Sequence, residues 1–581
     1  MMRALTDDDL PLQFVYRWER EQPDKIFLTQ PFGGGQVRDW TWSQAVGESR
    51  RMANYLKAQG WEPGTRVAIL AKNCAWWIMA DLAIWMAGHV SVPIYPSLKA
   101  QTIRQILEHS EAKACFLGAT EETESASLGI PRDVTTIRFP TEPTGDFIDW
   151  DAIVASHSPI EGHPVRPAGD LATIIYTSGT TGTPKGVMHA FQAFSHNVKA
   201  AAELLGFRAD ERILSYLPLA HIVERIGTEF LFVRLGAHVY FTEGLETFLT
   251  DLHRARPTIF LSVPRLLLKF QQGVYAKVPK HKLDRLLRIP IVNRIVKKRI
   301  IHQLGLSTVR VAACGAAALP PEILMWYRRL GLDLGEGYGM SETSVTHLPG
   351  PGMVRAGYVG PPMQGVEQKL TEQGELLIRS PMNMLGYYKD PEGTRKAFTD
   401  EGFFRTGDLA IIAPDSQLRI IGRAKEQFKT SKGKYVAPAP IESMLVAHPA
   451  VEAGCLMGAG LPSPFAVLLL SDEARKRCSD PQAKAALEES LRTKMEEVNG
   501  QLDPHERVKF LAIADGPWNV GNGLMTPTFK IKRSVVEARY QALVDDWSNS
   551  NQAIVWESAV SGKHAAYVPA PTPEMPLRHS D

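Results

Sequence analysis

A run of glycines and small hydroxylated residues lies in the first third of the chain. Residues 176–187 read YTSGTTGTPKGV and follow an apolar segment. Consecutive Gly, Ser and Thr residues expose backbone N–H groups and hydroxyls that can wrap polyphosphate oxygens. The candidate phosphate ligands are Thr177, Ser178, Gly179, Thr180, Thr181, Gly182 and Lys185. A run of this kind by itself is more often a surface connection, and it lacks the Gly-Lys-Ser/Thr ending of a P-loop.

Two later segments contain side chains suited to the rest of a nucleotide. In residues 337–343 (GYGMSET), the ring of Tyr338 can stack on a purine, and Glu342 offers a hard oxygen ligand for Mg²⁺. The alternative is an ordinary turn with an acid at a helix start. In residues 404–409 (FRTGDL), the carboxylate of Asp408 can accept both ribose hydroxyl protons. An isolated Asp is more often a solvated surface group.

The elements that must position these residues alternate between helix and strand. A capping box at residues 41–44 (TWSQ) predicts a helix that ends at Gly60. The apolar stretch 79–95 contains Asp81 and His89, and it predicts a buried helix followed by a strand. Strands are predicted at residues 67–70, 90–94, 171–176, 239–241, 258–261 and 309–313. Strands separated by helices indicate an α/β fold whose sheets are largely parallel and flanked by helices.

The chain length of 581 residues requires at least two domains. A turn at residues 421–423 marks the predicted boundary. We expect a large domain over residues 1–422 and a small α+β domain over residues 423–545. Residues 546–581 form a tail, rich in Pro, Ala and Ser from residue 558, that we expect to be partly disordered.

Composition excludes several classes of protein. The net charge of +2 argues against a nucleic-acid binder. The five cysteines are scattered without a CxxC spacing, which argues against a disulfide framework or zinc site and favours a reducing cytoplasm. The N-terminus lacks the apolar region of a secretory signal.

Residues 277–302 form an unusually basic segment, with nine Lys or Arg residues and one Asp. Helical spacing places Ile295, Val296 and Ile300 on one side and Arg294, Lys297 and Lys298 on the other. A segment of this kind can lie on a membrane surface as a peripheral contact. A solvated helix that packs on its own domain is an equally good interpretation.

Taken in order, the motifs resemble those of the adenylate-forming, AMP-binding superfamily, and most closely its long-chain fatty acyl-CoA synthetases. The resemblance covers residues 10 to 545 and includes GAAALP at 315–320, IGR at 421–423 and LMTPTFKIKR at 524–533. Most of the superfamily has Gly before the lysine of the last motif, whereas Phe529 stands there in this chain, as in the long-chain branch. Glu426 replaces the usual Asp after the hinge residue.

The resemblance implies a role for each matching residue. Gly315, Ala316 and Gly337 would border adenine, Ser341 would contact the α-phosphate, and Asp408 and Arg423 would bind ribose. Lys530 would be the catalytic lysine, with Lys532 as the alternative, and Glu342 would hold the metal. Lys425 would be the hinge of a mobile small domain, and Gly433 would approach the thiol of coenzyme A. His221 would be a catalytic residue beside the acyl site.

The implied function is ATP-dependent activation of a carboxylic acid through acyl-AMP to acyl-CoA. The partners are ATP, Mg²⁺, coenzyme A and the acid, which we expect to be a medium- or long-chain fatty acid. Alternatives are an aryl-acid or other acid–CoA ligase, or a fatty acyl-AMP ligase that loads a carrier protein. A non-catalytic nucleotide-binding relative is an alternative of another class. The sequence leaves the oligomeric state open.

Overall fold

The computed structural model describes residues 5–141, 147–178, 184–526 and 530–558. The chain divides after Lys425 into two compact units. The sequence placed this boundary at residues 422 and 423, at the preceding turn. Residues 421–423 do not form the predicted turn: strand pairing continues through Arg423, so these residues belong to the large unit.

The large unit combines helices with several sheets. Its helices are α1 (Pro11–Glu21), α2 (Trp42–Ala58), α3 (Ala75–Met86), α4 (Ala100–Ser110), α5 (Thr123–Ser127), α6 (Trp150–Ser156), α7 (Phe191–Leu205), α8 (Ile222–Glu224), α9 (Leu231–Leu235), α10 (Phe248–Ala255), α11 (Pro264–Lys277), α12 (Lys280–Leu286), α13 (Pro290–Gln303), α14 (Pro321–Leu330) and α15 (Pro391–Ala397). A π-helical turn, Arg225–Phe230, joins α8 to α9.

The strands of the large unit lie between these helices. They are β1 (Ile26–Pro31), β2 (Val37–Thr41), β3 (Arg66–Leu70), β4 (Val90–Ile94), β5 (Ala114–Leu117), β6 (Thr135–Arg138), β7 (Ile148–Asp149), β8 (Leu171–Ser178), β9 (Pro184–Ala190), β10 (Arg212–Ser215), β11 (His238–Phe241), β12 (Ile259–Ser262), β13 (Val311–Cys314), β14 (Leu334–Glu336), β15 (Tyr338–Met340), β16 (Ser344–His347), β17 (Glu367–Leu370), β18 (Glu375–Arg379), β19 (Gly386–Tyr387), β20 (Phe404–Ile412) and β21 (Leu418–Arg423).

The largest sheet in the described residues has the strand order β19-β9-β8-β4-β3-β5-β6-β7. Strands β8, β4, β3, β5, β6 and β7 run parallel, and β9 and β19 extend this array with antiparallel pairings. A second parallel sheet has the order β12-β13-β14. Strands β17-β18-β20-β21 form an antiparallel sheet. The expected α/β fold is therefore confirmed.

Local chemistry explains the best-predicted elements. The side chain of Thr41 accepts a hydrogen bond from the backbone N–H of Gln44, and Gln44 reciprocates, which forms the predicted capping box of α2. Every residue of α3 is buried, and β4 follows it, which confirms the buried helix and strand expected from the apolar stretch. An apolar helix of this length fits a core covered on all sides.

Helices α12 and α13 form the predicted basic segment, but one residue was assigned to the wrong side. Ile295 is exposed, whereas Ile300 is buried. At 3.6 residues per turn, five positions correspond to a rotation of about 140°, so these two side chains cannot share a face. Ile295 instead lies on the outer side of α13 with Arg294 and Lys298, which are also exposed.

The small unit has its own sheet and core. Its elements are β22 (Phe428–Lys429), β23 (Tyr435–Val436), α16 (Pro438–Val446), β24 (Val451–Met457), β25 (Phe465–Leu470), α17 (Asp472–Arg477), α18 (Pro481–Asn499), β26 (Leu511–Ala514), α19 (Arg533–Tyr540), α20 (Val544–Asn549) and β27 (Ile554–Trp556). Its sheet has the order β24-β25-β26-β27.

The small unit continues beyond residue 545, where the sequence placed its end. Strand β27 pairs in parallel with β26 and buries Ile554 and Val555. The indole N–H of Trp556 donates to Glu488 Oε1 at 2.7 Å. A short apolar strand of this kind is difficult to separate from a polar tail by composition, because its periodicity extends over too few residues. Residues 559–581 of the expected tail lie outside the described residues.

A fully buried ionic cluster lies in the core of the large unit. Arg225, in the π-helical turn, forms ion pairs with Asp81 on α3 and with Glu229, where Nε lies 3.1 Å from Oε2. Its Nη1 also donates to Thr173 Oγ1 at 2.7 Å. Burial raises the pKa of Glu229, and the charge of Asp81 raises this pKa further. Burial raises the pKa of Asp81 as well, although Arg225 lowers it, and we assign the proton of the cluster to Glu229 and the charged pair to Arg225 and Asp81.

This assignment predicts different effects for two substitutions. Glu229→Gln should change the thermal unfolding midpoint of the full chain only slightly, because the native Glu229 is already neutral. Arg225→Met should destabilise the fold by about 3–5 kcal/mol, because Asp81 would remain charged without its cation. Thermal and urea unfolding, followed by circular dichroism, measure both. Equal destabilisation by the two variants would contradict the assignment.

Candidate active site

Strands β8 and β9 form the hairpin that contains the predicted phosphate loop. The pairing places Thr177 opposite Lys185. Gly179, Thr180, Thr181 and Gly182 lie outside the described residues, as does the side chain of Ser178. The described ends of the hairpin therefore bring Thr177 and Lys185 to the two sides of the turn.

Lys185 lies beside groups that the motif analysis did not identify. Its Nζ lies 3.8 Å from Asp390 Oδ2 and 4.9 Å from the ring centroid of Tyr387. Strand β19 pairs with β9 and sets Tyr387 opposite Val187, which fixes the aromatic ring next to the lysine. The sequence could not show this neighbour because the pairing joins positions about 200 residues apart.

Glu342 is connected to the same hairpin through Tyr387. The phenol of Tyr387 donates to Glu342 Oε1 at 3.0 Å, and the backbone carbonyl of Glu342 accepts from Met384 N at 2.7 Å. Burial raises the pKa of Tyr387, and the neighbouring carboxylate raises that pKa further, so the phenol remains a donor. The carboxylate of Glu342 is thus held in place close to the phosphate hairpin.

This arrangement fits an Mg²⁺ ion whose ligands come partly from the protein and partly from the phosphates. No group of three His, Cys, Asp or Glu residues suited to a metal occurs in the described ranges. Mg²⁺ keeps several waters and binds through one or two carboxylates together with phosphate oxygens. Glu342 can supply the carboxylate of such a site, and its remaining oxygen, Oε2, has no role in the Tyr387 hydrogen bond.

Ser341 is anchored through its backbone. His189 on β9 donates from Nε2 to the carbonyl of Ser341 at 2.6 Å. Burial lowers the pKa of His189 to about 4, so the imidazole is neutral and Nε2 is the donor. This bond ties the 338–342 segment to the strand that follows the phosphate loop, and the motif analysis did not find it.

Asp408 is a buried carboxylate with a different donor at each oxygen. Arg423 Nε lies 2.9 Å from Oδ1, and the phenol of Tyr338 donates to Oδ2 at 2.5 Å. The pairing of β20 with β21 sets Asp408 directly opposite Arg423. Burial raises the pKa of Tyr338, and Asp408 raises it further, so the phenol stays protonated. A carboxylate oxygen can accept more than one hydrogen bond.

Two backbone segments approach each other closely where β13 and β14 end. These adjacent parallel strands lead to Gly315 and Gly337, and Gly337 N donates to Cys314 O at 2.8 Å. A methyl group at Gly315 would lie 3.4 Å from the carbonyl oxygen of Gly337. Ala316 adopts φ +68°, in the left-handed region. Ligands of α/β proteins commonly bind at the carboxyl ends of parallel strands, and the small residues here are compatible with the predicted adenine position.

Glu336, at the end of β14, is hydrogen-bonded to the loop that follows β13. Its Oε1 accepts from the backbone N–H of Leu319 at 3.0 Å. Burial raises the pKa of Glu336 to about 7. The residue was not among the predicted site residues, since no local signal distinguishes it from an ordinary strand-end acid.

His221 caps the short helix α8. Its Nδ1 accepts from Val223 N at 3.3 Å. The preceding loop is held by Asn73, whose Nδ2 donates to Leu217 O at 2.6 Å and whose Oδ1 accepts from Leu219 N at 2.9 Å. The backbone that leads to His221 is therefore fixed by one amide side chain.

Lys530 is exposed on a turn of the small unit. Its backbone N–H donates to Thr526 Oγ1 at 3.1 Å, and its carbonyl accepts from Thr526 N at 2.8 Å. Residues 527–529 lie outside the described residues. The turn is followed by Arg533, which binds both oxygens of Glu442 at 2.7 and 2.8 Å. This partly buried bidentate pair anchors the chain three residues after Lys530.

Gly433 and Lys425 lie at turns. Gly433 is in the loop between β22 and β23 and adopts φ +75°, a conformation that favours glycine. Its N–H donates to Thr430 O at 2.9 Å. Lys425 is exposed in a short turn of 3₁₀-helix, Ala424–Glu426, which follows β21.

The large unit therefore brings several of the described predicted residues into three groups. Thr177 and Lys185 lie beside Glu342 through Tyr387, Asp408 lies beside Arg423 and Tyr338, and Gly315 lies beside Gly337. Residues 337–342 join these groups in sequence. Lys530 and Gly433 lie in the small unit.

Comparison with known proteins agrees with this architecture. Residues 15–388 match the model of the AMP-binding enzyme family, and residues 425–551 match that of the AMP-binding enzyme C-terminal domain. The peroxisomal long chain acyl-CoA synthetase 6 of Arabidopsis thaliana is 30% identical, over 86% of this chain and 80% of that protein. The long-chain-fatty-acid–CoA ligase FadD15 of Mycobacterium bovis is 29% identical, over 91% of this chain and 96% of that protein.

A solved structure shows the same fold. The adenylation domain of the carboxylate reductase from Mycobacterium chelonae superposes with a TM-score of 0.80 at 23% identity, covering 93% of this chain and 91% of that one. The two family models match, in chain order, most of the large unit and most of the small unit. The chain belongs to the AMP-binding enzyme family.

Proposed function

We propose that this enzyme is an ATP-dependent, AMP-forming acid–CoA ligase that acts on medium- or long-chain fatty acids. The observation that carries the proposal is the buried carboxylate of Asp408, whose two oxygens contact Tyr338 and Arg423. Tyr338 lies in the same short segment as Glu342, which Tyr387 holds in place. The relatives named as long-chain fatty-acid ligases span most of the chain, which favours a fatty acid.

In the first step, an oxygen of the fatty acid carboxylate attacks the α-phosphorus of ATP. The new O–P bond forms as the bond from the α-phosphorus to the pyrophosphate oxygen breaks, which yields acyl-AMP and pyrophosphate. Both reactants are anionic, so the site must supply positive charge. We assign Lys530 to the carboxylate and α-phosphate, and Lys185 with the phosphate loop to the leaving pyrophosphate. Mg²⁺, held by Glu342, would neutralise phosphate charge.

In the second step, the thiol of coenzyme A attacks the acyl carbonyl of acyl-AMP. A C–S bond forms, the C–O bond to AMP breaks, and the thiol gives up its proton. We propose that the small unit turns about Lys425 between the steps, which withdraws Lys530 and brings the loop with Gly433 to the thiol. Such a hinge requires a few residues at an element end to absorb the backbone change.

The location of the acid follows from the remaining predicted residue. We assign His221 to the acyl side of the site, where Asn73 fixes the loop that orients it. The aryl-acid ligase and the carrier-loading acyl-AMP ligase remain the alternatives within the family. We further propose that the enzyme works in the cytoplasm with a peripheral membrane contact.

One assay separates these functions. Pyrophosphate exchange and thioester formation are measured with acids from acetate to stearate and with benzoate, with and without coenzyme A. Exchange and thioester formation with the longer fatty acids support the proposal. Exchange without thioester indicates carrier loading, and no exchange with any acid indicates a non-catalytic relative.

Replacement of the proposed catalytic lysine should abolish adenylation. Lys530→Ala should reduce pyrophosphate exchange by roughly a hundredfold to a thousandfold, because the charge that bridges the two anions is lost. Its affinity for ATP, measured by calorimetry, should change little. Lys532→Ala is the matched control and should keep most activity. The opposite pattern would transfer the role to Lys532.

Replacement of the proposed metal ligand should change the requirement for Mg²⁺. Glu342→Gln should raise the Mg²⁺ concentration for half-maximal activity by roughly a hundredfold, because the neutral amide is a poor ligand. Tyr387→Phe removes the donor that orients this carboxylate and should raise the same Mg²⁺ concentration by roughly tenfold. An unchanged Mg²⁺ titration in Glu342→Gln would exclude this metal site.

The ribose assignment predicts a change in nucleotide selectivity. Asp408→Asn should raise KM for ATP by roughly tenfold to a hundredfold, because hydrogen bonds to a charged acceptor are lost. The same variant should no longer prefer ATP to 2′-deoxy-ATP, whereas KM for the fatty acid should stay near the native value. Tyr338→Phe keeps the carboxylate and should retain the preference. A preserved preference in Asp408→Asn would place ribose elsewhere.

A further inference from the structure

The outer side of α13 combines exposed isoleucines with basic side chains. Ile289, Ile291 and Ile295 are 49%, 77% and 62% exposed. Positions 291, 294, 295 and 298 follow a helical stripe, so Arg294 and Lys298 share the face of Ile291 and Ile295. We call the residues Arg288, Ile289, Ile291, Arg294, Ile295 and Lys298 the basic isoleucine surface.

The fold does not use this surface for its own core. Within α13, which the structure describes throughout, Ile300 is the one fully buried side chain. Ile289 and Ile291 flank Pro290, the first residue of α13, and both point away from the packed side. Hydration of large aliphatic side chains is unfavourable, and here several of them are exposed next to one another. Such an exposed apolar patch indicates a binding surface.

The charge of the segment limits what that partner can be. Residues 277–302 contain nine Lys or Arg residues and the single acid Asp284. Asp284 is engaged by Arg329 from α14, with Nη1 2.6 Å from Oδ1, so it does not offset the charge of the outer face. The face therefore mixes exposed aliphatic side chains with positively charged ones, which is complementary to an anionic partner.

An acidic protein and an anionic bilayer place different requirements on the lysines and arginines of a surface that binds them. A protein interface desolvates its centre and is depleted in lysine there. At a bilayer, by contrast, long basic side chains keep their charged ends at the lipid phosphates while isoleucines enter the acyl boundary. The intermixing of Arg294 and Lys298 with Ile291 and Ile295 on one stripe fits the bilayer.

We propose that the basic isoleucine surface docks the enzyme on anionic lipid bilayers. No helix within the described ranges has the length and hydropathy that a bilayer crossing requires, and the contact proposed is peripheral. The purpose of the contact rests on the proposed function, since fatty acids partition into membranes and the enzyme would take its substrate there. The contact itself is a property of the surface and can be measured without catalysis.

The test is sedimentation of the full chain with vesicles of phosphatidylcholine, alone or mixed with phosphatidylglycerol. The native protein should bind the mixed vesicles, and added salt should weaken this binding. Ile291→Ser/Ile295→Ser should lower binding by roughly tenfold, because two aliphatic anchors are lost. Arg294→Gln/Lys298→Gln should lower binding to the mixed vesicles and reduce its dependence on salt.

Matched controls change similar side chains elsewhere. Leu128→Ser alters another exposed aliphatic residue, and Lys476→Gln/Arg477→Gln alters an exposed basic pair in the small unit. Both controls should bind vesicles as the native protein does. Circular dichroism and activity on a short soluble acid verify that the surface variants are folded, since no residue of this surface belongs to the proposed active site.

The outcomes separate this inference from the proposed function. Loss of vesicle binding in the isoleucine variant, with native binding in the controls, supports the surface whether or not any acid is activated. Equal binding of the native protein to both vesicle types, no binding at all, or full binding by the isoleucine variant overturns it. A concentration-dependent dimer that this variant abolishes, without vesicle binding, also overturns it and assigns the surface to a second copy.

Discussion

The organisation of the large unit depends on how buried carboxylates are balanced by donors. Asp408 is buried, and an unpaired charge at such a position would be strongly destabilising. Tyr338 and Arg423 each satisfy one of its oxygens, and they come from different sheets. This pair of contacts joins the antiparallel sheet to the segment that continues from β14. The side chain of Arg423 is 47% exposed, whereas that of Asp408 is only 5% exposed.

Strand β9 is the second organising feature. It begins at the phosphate hairpin with Lys185, reaches His189, and pairs with β19 along its free edge. Through these positions it contacts Tyr387, the backbone of Ser341 and, through Tyr387, Glu342. One strand thus sets the relative positions of the phosphate loop, the proposed metal ligand and the segment that follows β14. A shift in its register would move all three.

The buried cluster around Arg225 shows a different use of charge. Its members are enclosed by aromatic rings, with the guanidinium carbon 5.4 Å from the centroids of Trp77 and Phe230. The cluster lies in the π-helical turn that follows α8, the helix capped by His221. π-Helical turns are uncommon and frequently occur at functional sites. The geometry of this region is therefore determined by an ion pair in the core and by Asn73 at the loop.

The sequence by itself determined the class of fold, the order of the motifs and most candidate residues. The capping box at Thr41, the apolar helix α3 and the glycine-rich run are local signals, and local signals can be read from neighbours in the chain. The roles of the candidate site residues, including those of Lys530 and Gly433 that came from resemblance to a family, remain predictions.

Only the tertiary structure decided which side chains meet. No local signature marks Tyr387, His189 or Glu336. The contacts of Tyr387 and His189 join strands and segments that are about 45 to 200 residues apart in the chain. In the structure, Ile295 lies on the outer side of α13 and not on the predicted side, and the small unit continues to β27. Helical spacing shows which residues share a face, but only packing against the rest of the fold determines which face is buried.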